Sequence, residues 1–464
     1  MPDVVIVGAG IAGLATAYEL SRRGVSFVVL ERAARVGGVI VSEEIDGYTI
    51  DGGPDSLLIQ KPAGITLCEE IGLGERLIAT QRPRLAYIQR AGRLHALPAA
   101  SVLGIPTRWG PLVRTRLFTS RGKIRMGAEL FVPPRRDEGD EAIGAFMTRR
   151  FGREATTYLA EPLLAGIHSG DVDRLSVKAL FPHLVEAERT HGSLLRAFRA
   201  NPESQIPNPD GVFRSLPGGL SEMVRALVRT IGQSHVRTNS PVAGIGGEAF
   251  MARRAVPRFT VDISGPEQLA ARAIVLAAPA YDTAALLRPH DAELAGLCGA
   301  IPYASSAAVA LAFRRDGVAH PLNGSGFVVP RVEDTRILAA SWLSSKWAHR
   351  APADRVLLRA FVGGARDPHV LDQSDRALIA RVLAALGPLL GISGDPLVTR
   401  VYRWPRANAQ HEVGHLERMD AIDRGLARHP GLFVTGSGFR GVGIPDCIAD
   451  GRATARQVAE WLTR

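Results

Sequence analysis

Near the start of the chain, Gly8-Ala9-Gly10-Ile11-Ala12-Gly13 follows four β-branched residues, Val4 to Val7. Glycines at this spacing let backbone N–H groups hold a diphosphate. Gly8 permits a tight turn after a buried parallel strand. Gly10 lets the main chain approach a pyrophosphate, and Gly13 lets the next helix lie close to the strand. That helix is expected from about Ala12 to Arg23, with Ile11 and Ala12 at its phosphate-facing end and Gly24 as its stop. Residues 26 to 30 read as a second strand. Glu31 ends it 18 residues after Gly13, where an acid accepts a ribose 2′-OH, so an unphosphorylated ribose is expected; Arg32 lies beside it. The run reads poorly as an export signal or membrane anchor. Only Met1, Pro2 and Asp3 precede it, and it contains three glycines and Glu19.

The other end carries similar chemistry. A strand expected over 432–435 runs into Gly436, Gly438, Gly441 and Gly443, and a helix is expected from Pro445 with Asp446 in its first turn. Gly436, Gly441, Val442, Gly443 and Ile444 are the candidate contacts there, since N–H groups before a helix face an anion. One dinucleotide touched by both chain ends points to FAD rather than NAD, because this second helix start can stabilise negative charge on a reduced flavin. A single FAD is expected, held non-covalently. Gly244 to Gly247 lacks a following helix and a spaced acid, so no second nucleotide site is expected. The oxidant would then be O2 or a quinone.

The elements that position these turns fill 464 residues, which implies two or three domains. No 18-residue uncharged apolar stretch exists, and Cys68, Cys298 and Cys447 lie far apart without a CxxC. Neither a disulfide framework nor a metal site is expected. No Ser-His-Asp set stands out, no catalytic side chain is assigned, and the twelve His read as structural or solvent-facing. Net charge is +10, and residues 81–153 hold fifteen Lys/Arg against five acids, an excess of ten. Such a patch suits an anionic membrane, nucleic acid or a polycarboxylate. Without interleaved aromatics, nucleic acid is not expected. The fold class is α/β: a Rossmann-like, doubly wound FAD domain carrying an inserted substrate-binding sheet domain and a basic helical domain. The expected segments are 1–80, 206–280 and 404–464 for the FAD domain, 81–205 for the helical insertion and 281–403 for the substrate domain.

Further motifs carry a resemblance. They are Arg35-Val36-Gly37-Gly38-Val39-Ile40, Asp51-Gly52-Gly53-Pro54-Asp55-Ser56, "LHALP" (94–98), "EPLLAGIHSGDVDRLSV" (161–177), "SLPGGL" (215–220) and "FRGVGIPDCIADG" (439–451). Together with both glycine turns they resemble the flavin-dependent protoporphyrinogen/coproporphyrinogen III oxidases of the amine oxidase and phytoene desaturase superfamily, in the bacterial form. The likeness runs over nearly the full length. Family members commonly read Pro-Gln-Tyr where this chain has Ala409-Gln410-His411; the Trp of that segment is kept as Trp404.

The resemblance implies FAD contacts at Gly37, Gly38, Val39, Gly53, Pro54, Asp55, Ser56, Val242 and Trp404. It implies oxidation of a porphyrinogen by three hydride transfers to flavin N5, with O2 reduced to H2O2, in haem synthesis. Arg84 matches the family position credited with a propionate; Lys61 and Arg440 are further candidates. Implied partners are the porphyrinogen, O2, an anionic membrane surface and a ferrochelatase-type enzyme, with a monomer or homodimer in the cytoplasm or on the inner face of the membrane. Trp109, Leu112, Val113, Leu117 and Phe118 among Arg114, Arg116 and Arg121 form the expected membrane-facing stretch. An amine oxidase or polyene desaturase is the alternative. Amine oxidases usually flank the flavin with aromatics where this chain has Ser437, Gly438 and Phe439, and desaturases lack "GPDS" and "LHALP".

Overall fold

The computed structural model describes residues 1–463 except 99–100, 103–104, 107–108, 138, 201–209 and 248–258. Arg108, the Trp109 side chain and the boundary at 205/206 lie outside the described parts. Val4–Val7 is buried at every position, as a parallel strand covered on both faces must be. It pairs in parallel with Phe27–Leu30 on one side and Ala273–Leu276 on the other. Val236–Arg237 and Leu432–Val434 complete a five-stranded parallel sheet whose strands come from both ends of the chain.

Helices Ile11–Arg22, Ser221–Ile231 and Ile444–Leu462 bury one face of this sheet through Val4, Ile6, Val29 and Val275. The other face is covered by the antiparallel strands Val242–Gly246, Phe259–Ile263 and Gln268–Ala271 and by helices Ala280–Leu287, Ala292–Gly299 and His415–Leu426. The first and last helices touch directly. The Thr16 hydroxyl donates to the carbonyls of Ala12 (2.9 Å) and Gly451 (3.0 Å), and a Cβ on Gly451 would lie 2.3 Å from the Ala12 carbonyl oxygen.

A second sheet of seven strands runs in the order Val398–Ala409, Tyr303–Arg314, Arg355–Gly363, Ala339–Trp342, Gly326–Val328, Ala86–Arg90 and Arg93–Ala96. The last two strands form an antiparallel hairpin at its outer edge. Helix Asp375–Leu390 covers one face through Leu378, Val382, Leu386 and Leu390. The described residues between 109 and 200 are mostly helical and build a core around Phe146, Phe151, Leu159 and Leu195.

That core changes the reading of the basic segment. Leu112, Leu117 and Phe118, expected to face a membrane, are buried in it. The insertion is large enough to need them as filling. Val113, Ile124 and Phe131 remain outside, 66%, 74% and 83% exposed. Several arginines are also internal. Arg150 is fully buried and pairs with Glu129 and with Glu188, the latter at 3.3 Å. Arg149 pairs with Glu188 (2.6 Å) and Glu141 (2.9 Å), and Arg90 with Glu154 (2.8 Å). Arg125 donates to the carbonyls of Arg149 and Arg150. The sequence excess of ten is therefore larger than the free surface charge, because Glu154 and Glu188 lie outside the counted window.

Glu129 also accepts from the Ser193 hydroxyl and the Leu194 N–H, so its carboxylate is fixed in place. Arg150→Ala would strand it in the core. A loss of about 3–5 kcal/mol in unfolding free energy is expected from urea titration. A loss below about 1 kcal/mol would mean that Glu129 finds solvent or another cation.

Candidate functional site

The strand Val4–Val7 ends at a turn whose space is fully used on one side and open on the other. A Cβ on Gly13 would lie 2.0 Å from the Gly8 carbonyl oxygen, so helix and strand can meet only through glycine. A Cβ on Gly10 would meet nothing within 4 Å. The helix beginning at Ile11 has no side-chain cap and no acid in its first turn. Among the described residues its first N–H groups, those of Ile11, Ala12 and Gly13, have no acceptor in the chain. Orphan donors above an open glycine fit a diphosphate. Glu31 stands at the end of the second strand as expected. Its carboxylate accepts from the Ala9 N–H and the Ala33 N–H, both at 2.9 Å, which fixes its orientation beside the turn. Arg32 pairs with Asp282 at 3.1 Å.

The Gly37 N–H donates to the Ala9 carbonyl at 2.8 Å, which pins the Arg35–Ile40 loop to the first turn and brings Gly38 against Gly10. Val39, 41% exposed, lies at its tip. Gly53 lies against this loop: a Cβ there would sit 1.9 Å from the Val39 carbonyl oxygen. The Trp404 indole N–H donates to the Gly52 carbonyl at 2.9 Å, and Arg359 donates to the carbonyls of Asp51 and Gly53. Pro54 and Ser56 belong to the same turn. The Asp55 carboxylate is turned inward. It accepts from Lys346 (3.0 Å) and the Trp347 indole (3.2 Å) and lies 3.4 Å from Arg359. Burial alone would raise its pKa; Lys346 and Arg359 outweigh that and hold it well below the usual carboxylate range. The Asp55 side chain thus anchors the turn to the second sheet. Val242 pairs with Ile263 in the antiparallel layer, half-buried.

The C-terminal glycine loop joins the same place: the nearest atom to a Cβ on Gly436 would be the Ala12 methyl, at 3.8 Å. Helix Ile444–Leu462 starts one residue before the expected Pro445. Asp446 caps its start, accepting from the Gly443 N–H at 3.3 Å, and pairs with Lys61 at 2.7 Å. Arg440 pairs with Asp423 and lies 3.9 Å from Asp450, which also holds Thr435 and Gly436. The Arg84 Nε donates to the Thr80 carbonyl and hydroxyl, at 3.0 and 3.1 Å. Lys61 is therefore tied to an acid at the glycine loop, Arg440 to Asp423 of helix His415–Leu426, and Arg84 to the Thr80 turn.

Two histidines that no catalytic or metal-binding spacing singles out contact the glycine loop. His411 Nε2 lies 3.0 Å from the Ser437 carbonyl oxygen, and His415 Nε2 lies 2.8 Å from that of Phe439. Burial, with His415 and His168 nearby, pushes His411 down to about 3. The departure from Tyr at position 411 was the one signal in the sequence. Among the described residues no cluster could hold a metal ion.

Two glycine turns from opposite ends of the chain, one with uncapped helix donors and a fixed acid beside it, make a cradle that fits a dinucleotide. The chain belongs to the flavin-containing amine oxidoreductase family, whose model matches residues 11–459, and within it to the porphyrinogen oxidases. It is 33% identical to the coproporphyrinogen III oxidase of Bacillus subtilis (strain 168), over 99% of this chain and 98% of that protein. Identity is 34% to the coproporphyrinogen III oxidase of Staphylococcus aureus, over 99% of each. The crystal structure of an Exiguobacterium sp. 255-15 protein assigned as a protoporphyrinogen oxidase superposes with a TM-score of 0.86 at 32% identity, covering 99% of both chains. Cyclohexylamine oxidase from Brevibacterium oxydans shares the fold, with a TM-score of 0.71 at 17% identity over the full length of both chains.

Gly10 separates binding from folding. Its φ of −69° and ψ of 174° suit alanine, and no protein atom opposes the methyl. Gly10→Ala is expected to leave the thermal midpoint of the apoprotein within a few degrees of wild type while FAD retention falls at least tenfold. Gly13→Ala should lose both. A Gly10→Ala protein that holds FAD as tightly as wild type would place the diphosphate elsewhere.

Proposed function

We propose that this protein oxidises a porphyrinogen to the porphyrin in haem biosynthesis, with one non-covalently held FAD as its redox group. The observation that carries this reading is full-length identity of 33–34% to coproporphyrinogen III oxidases, together with a cradle supplied by both chain ends. When bound, the flavin supplies the hydride acceptor. The chain's residues hold and orient it. Ile11, Ala12 and Gly13 offer N–H groups to the diphosphate, Glu31 its carboxylate to the ribose, and the Gly37–Val39 and Gly53–Ser56 turns the walls beside it. The C-terminal loop, from Gly436 through Gly441 and Val442 to Gly443 and Ile444, closes the far end, and Val242 and Trp404 flank the site.

Non-covalent attachment is supported by the state of Cys447. Its thiol is directed at the Gly441 carbonyl at 3.4 Å, and burial pushes its pKa up to about 12, leaving it a poor nucleophile. O2 serves as acceptor and yields H2O2. Arg84, Lys61 and Arg440 are each partly exposed, and they are the cations proposed for the substrate's propionates. The product is a porphyrin, so a ferrochelatase-type enzyme is the partner that would consume it. Purified protein should be yellow, release free FAD on denaturation, and convert coproporphyrinogen III or protoporphyrinogen IX in air to fluorescent porphyrin with peroxide formed. Colourless protein that takes up no FAD would sink the reading.

Peripheral attachment to an anionic membrane rests on fewer residues than the sequence implied. Val113 and Ile124 are exposed near one another, since the Lys123 ammonium donates to the Val113 carbonyl at 2.7 Å, and Arg114, Arg116 and Arg121 are exposed around them. No helix among the described residues is long and apolar enough to cross a membrane. Flotation with anionic vesicles should show binding at low salt that weakens as salt rises. Val113→Ser with Ile124→Ser should reduce it several-fold. Wild-type protein that stays behind at low salt would contradict the attachment.

A further inference from the structure

The His411 and His415 rings lie face to face, centroids 3.8 Å apart and planes 10° from parallel, and both are buried. Each places Nε2 on a carbonyl of the C-terminal glycine loop, Ser437 for one and Phe439 for the other. A carbonyl only accepts, so both rings carry their proton on Nε2. Nδ1 of His415 is buried without a partner. That is a costly arrangement for mere filling, since a leucine pair would leave no orphan nitrogen.

The segment carrying the pair is gripped from the other side by the helical insertion. The Ser176 N–H donates to the His411 carbonyl and the Val413 N–H to the Arg174 carbonyl, both at 2.9 Å. The Asp140 carboxylate takes the Ser176 hydroxyl at 2.8 Å and the Gly414 N–H at 3.3 Å. The imidazoles are therefore a fixed bridge between insertion and glycine loop.

Fixing a carbonyl fixes the peptide that contains it. The one cis peptide among the described residues is Arg82-Pro83, so the peptides after Ser437 and Phe439 are trans. In a trans peptide the N–H points opposite to the C=O. With both carbonyls held on the imidazoles, the N–H groups of Gly438 and Arg440 face the other way, and among the described residues neither has an acceptor in the chain.

We propose that His411 and His415 are positioning residues: by holding the Ser437 and Phe439 carbonyls they aim the Gly438 and Arg440 N–H groups at the flavin ring. This rests on the reading that the glycine loop receives the flavin. Two donors so aimed stabilise negative charge on the reduced ring and raise its reduction potential. The pair acts through hydrogen bonds, so an amide that donates from the same place should replace an imidazole.

The test uses the holoenzyme and the variants His415→Leu, His415→Gln, His411→Leu and His411→Gln. FAD affinity is read by flavin fluorescence, and the reduction potential of the bound flavin by equilibration with a reference dye. Each Leu variant should bind FAD about 5- to 100-fold more weakly, the equivalent of about 1–3 kcal/mol for an unpaired buried group. Its flavin should have a more negative potential. Each Gln variant should recover most of both. Leu variants with wild-type affinity and potential would overturn the proposal, and so would Gln variants as impaired as Leu, which would leave packing as the only role. If His415→Leu does not fold, the His411 pair and His415→Gln still decide. Wild-type protein that binds no FAD would instead sink the proposed function itself.

Discussion

The whole site depends on how closely two helices approach. Helix Ile11–Arg22 and helix Ile444–Leu462 cross with Gly451 against the Ala12 carbonyl, at a distance no side chain would permit. Because they meet there, the glycine turns that precede them open onto one cradle rather than two. Gly13 against Gly8 repeats the constraint within the first unit. Everything else can be seen as holding loops at the rim of that crossing: Gly37 on Ala9, Gly53 on Val39, and the paired imidazoles on the C-terminal loop.

Charge serves the same end. In a chain so rich in arginine, several guanidinium groups join one unit to another. Arg359 reaches the Asp55 turn from the second sheet, Lys346 joins it from the short helix Leu343–Lys346, and Arg350 reaches Asp51 at 2.9 Å with both side chains fully buried. A buried pair of this kind adds little net stability, yet removing one partner is expensive, so it specifies which loop docks where. The planar guanidinium suits this use, since Arg359 serves two carbonyls and a carboxylate at once.

The cradle was legible in the sequence because its physics is local. A strand, three spaced glycines, a helix and an acid leave a one-dimensional pattern, and so do the C-terminal glycines before Pro445. Fold class followed from the same pattern and from the resemblance. What stayed hidden is set by contacts between distant segments. Asp55 belongs to a recognisable turn, but its inward orientation depends on Lys346 and Trp347, nearly three hundred residues away. The arginines of 81–153 read as a surface patch because Glu154 and Glu188, their partners, fall outside the window. Leu112, Leu117 and Phe118 carry the same letters whether they face lipid or a core, and only the insertion's own packing decides. His411 and His415 match no motif of catalytic or metal-binding spacing, and their part depends on two main-chain oxygens that the sequence does not mark.

In the proposed reaction a porphyrinogen reduces a flavin held between the two ends of this chain. Its most direct test is anaerobic. Purified protein loaded with FAD is mixed with one equivalent of coproporphyrinogen III, and in parallel with protoporphyrinogen IX, while the yellow flavin absorbance is followed. At least one porphyrinogen should bleach the flavin, and admitting air should restore the colour with formation of peroxide. A flavin that both porphyrinogens leave oxidised, but that an amine reduces, would contradict it.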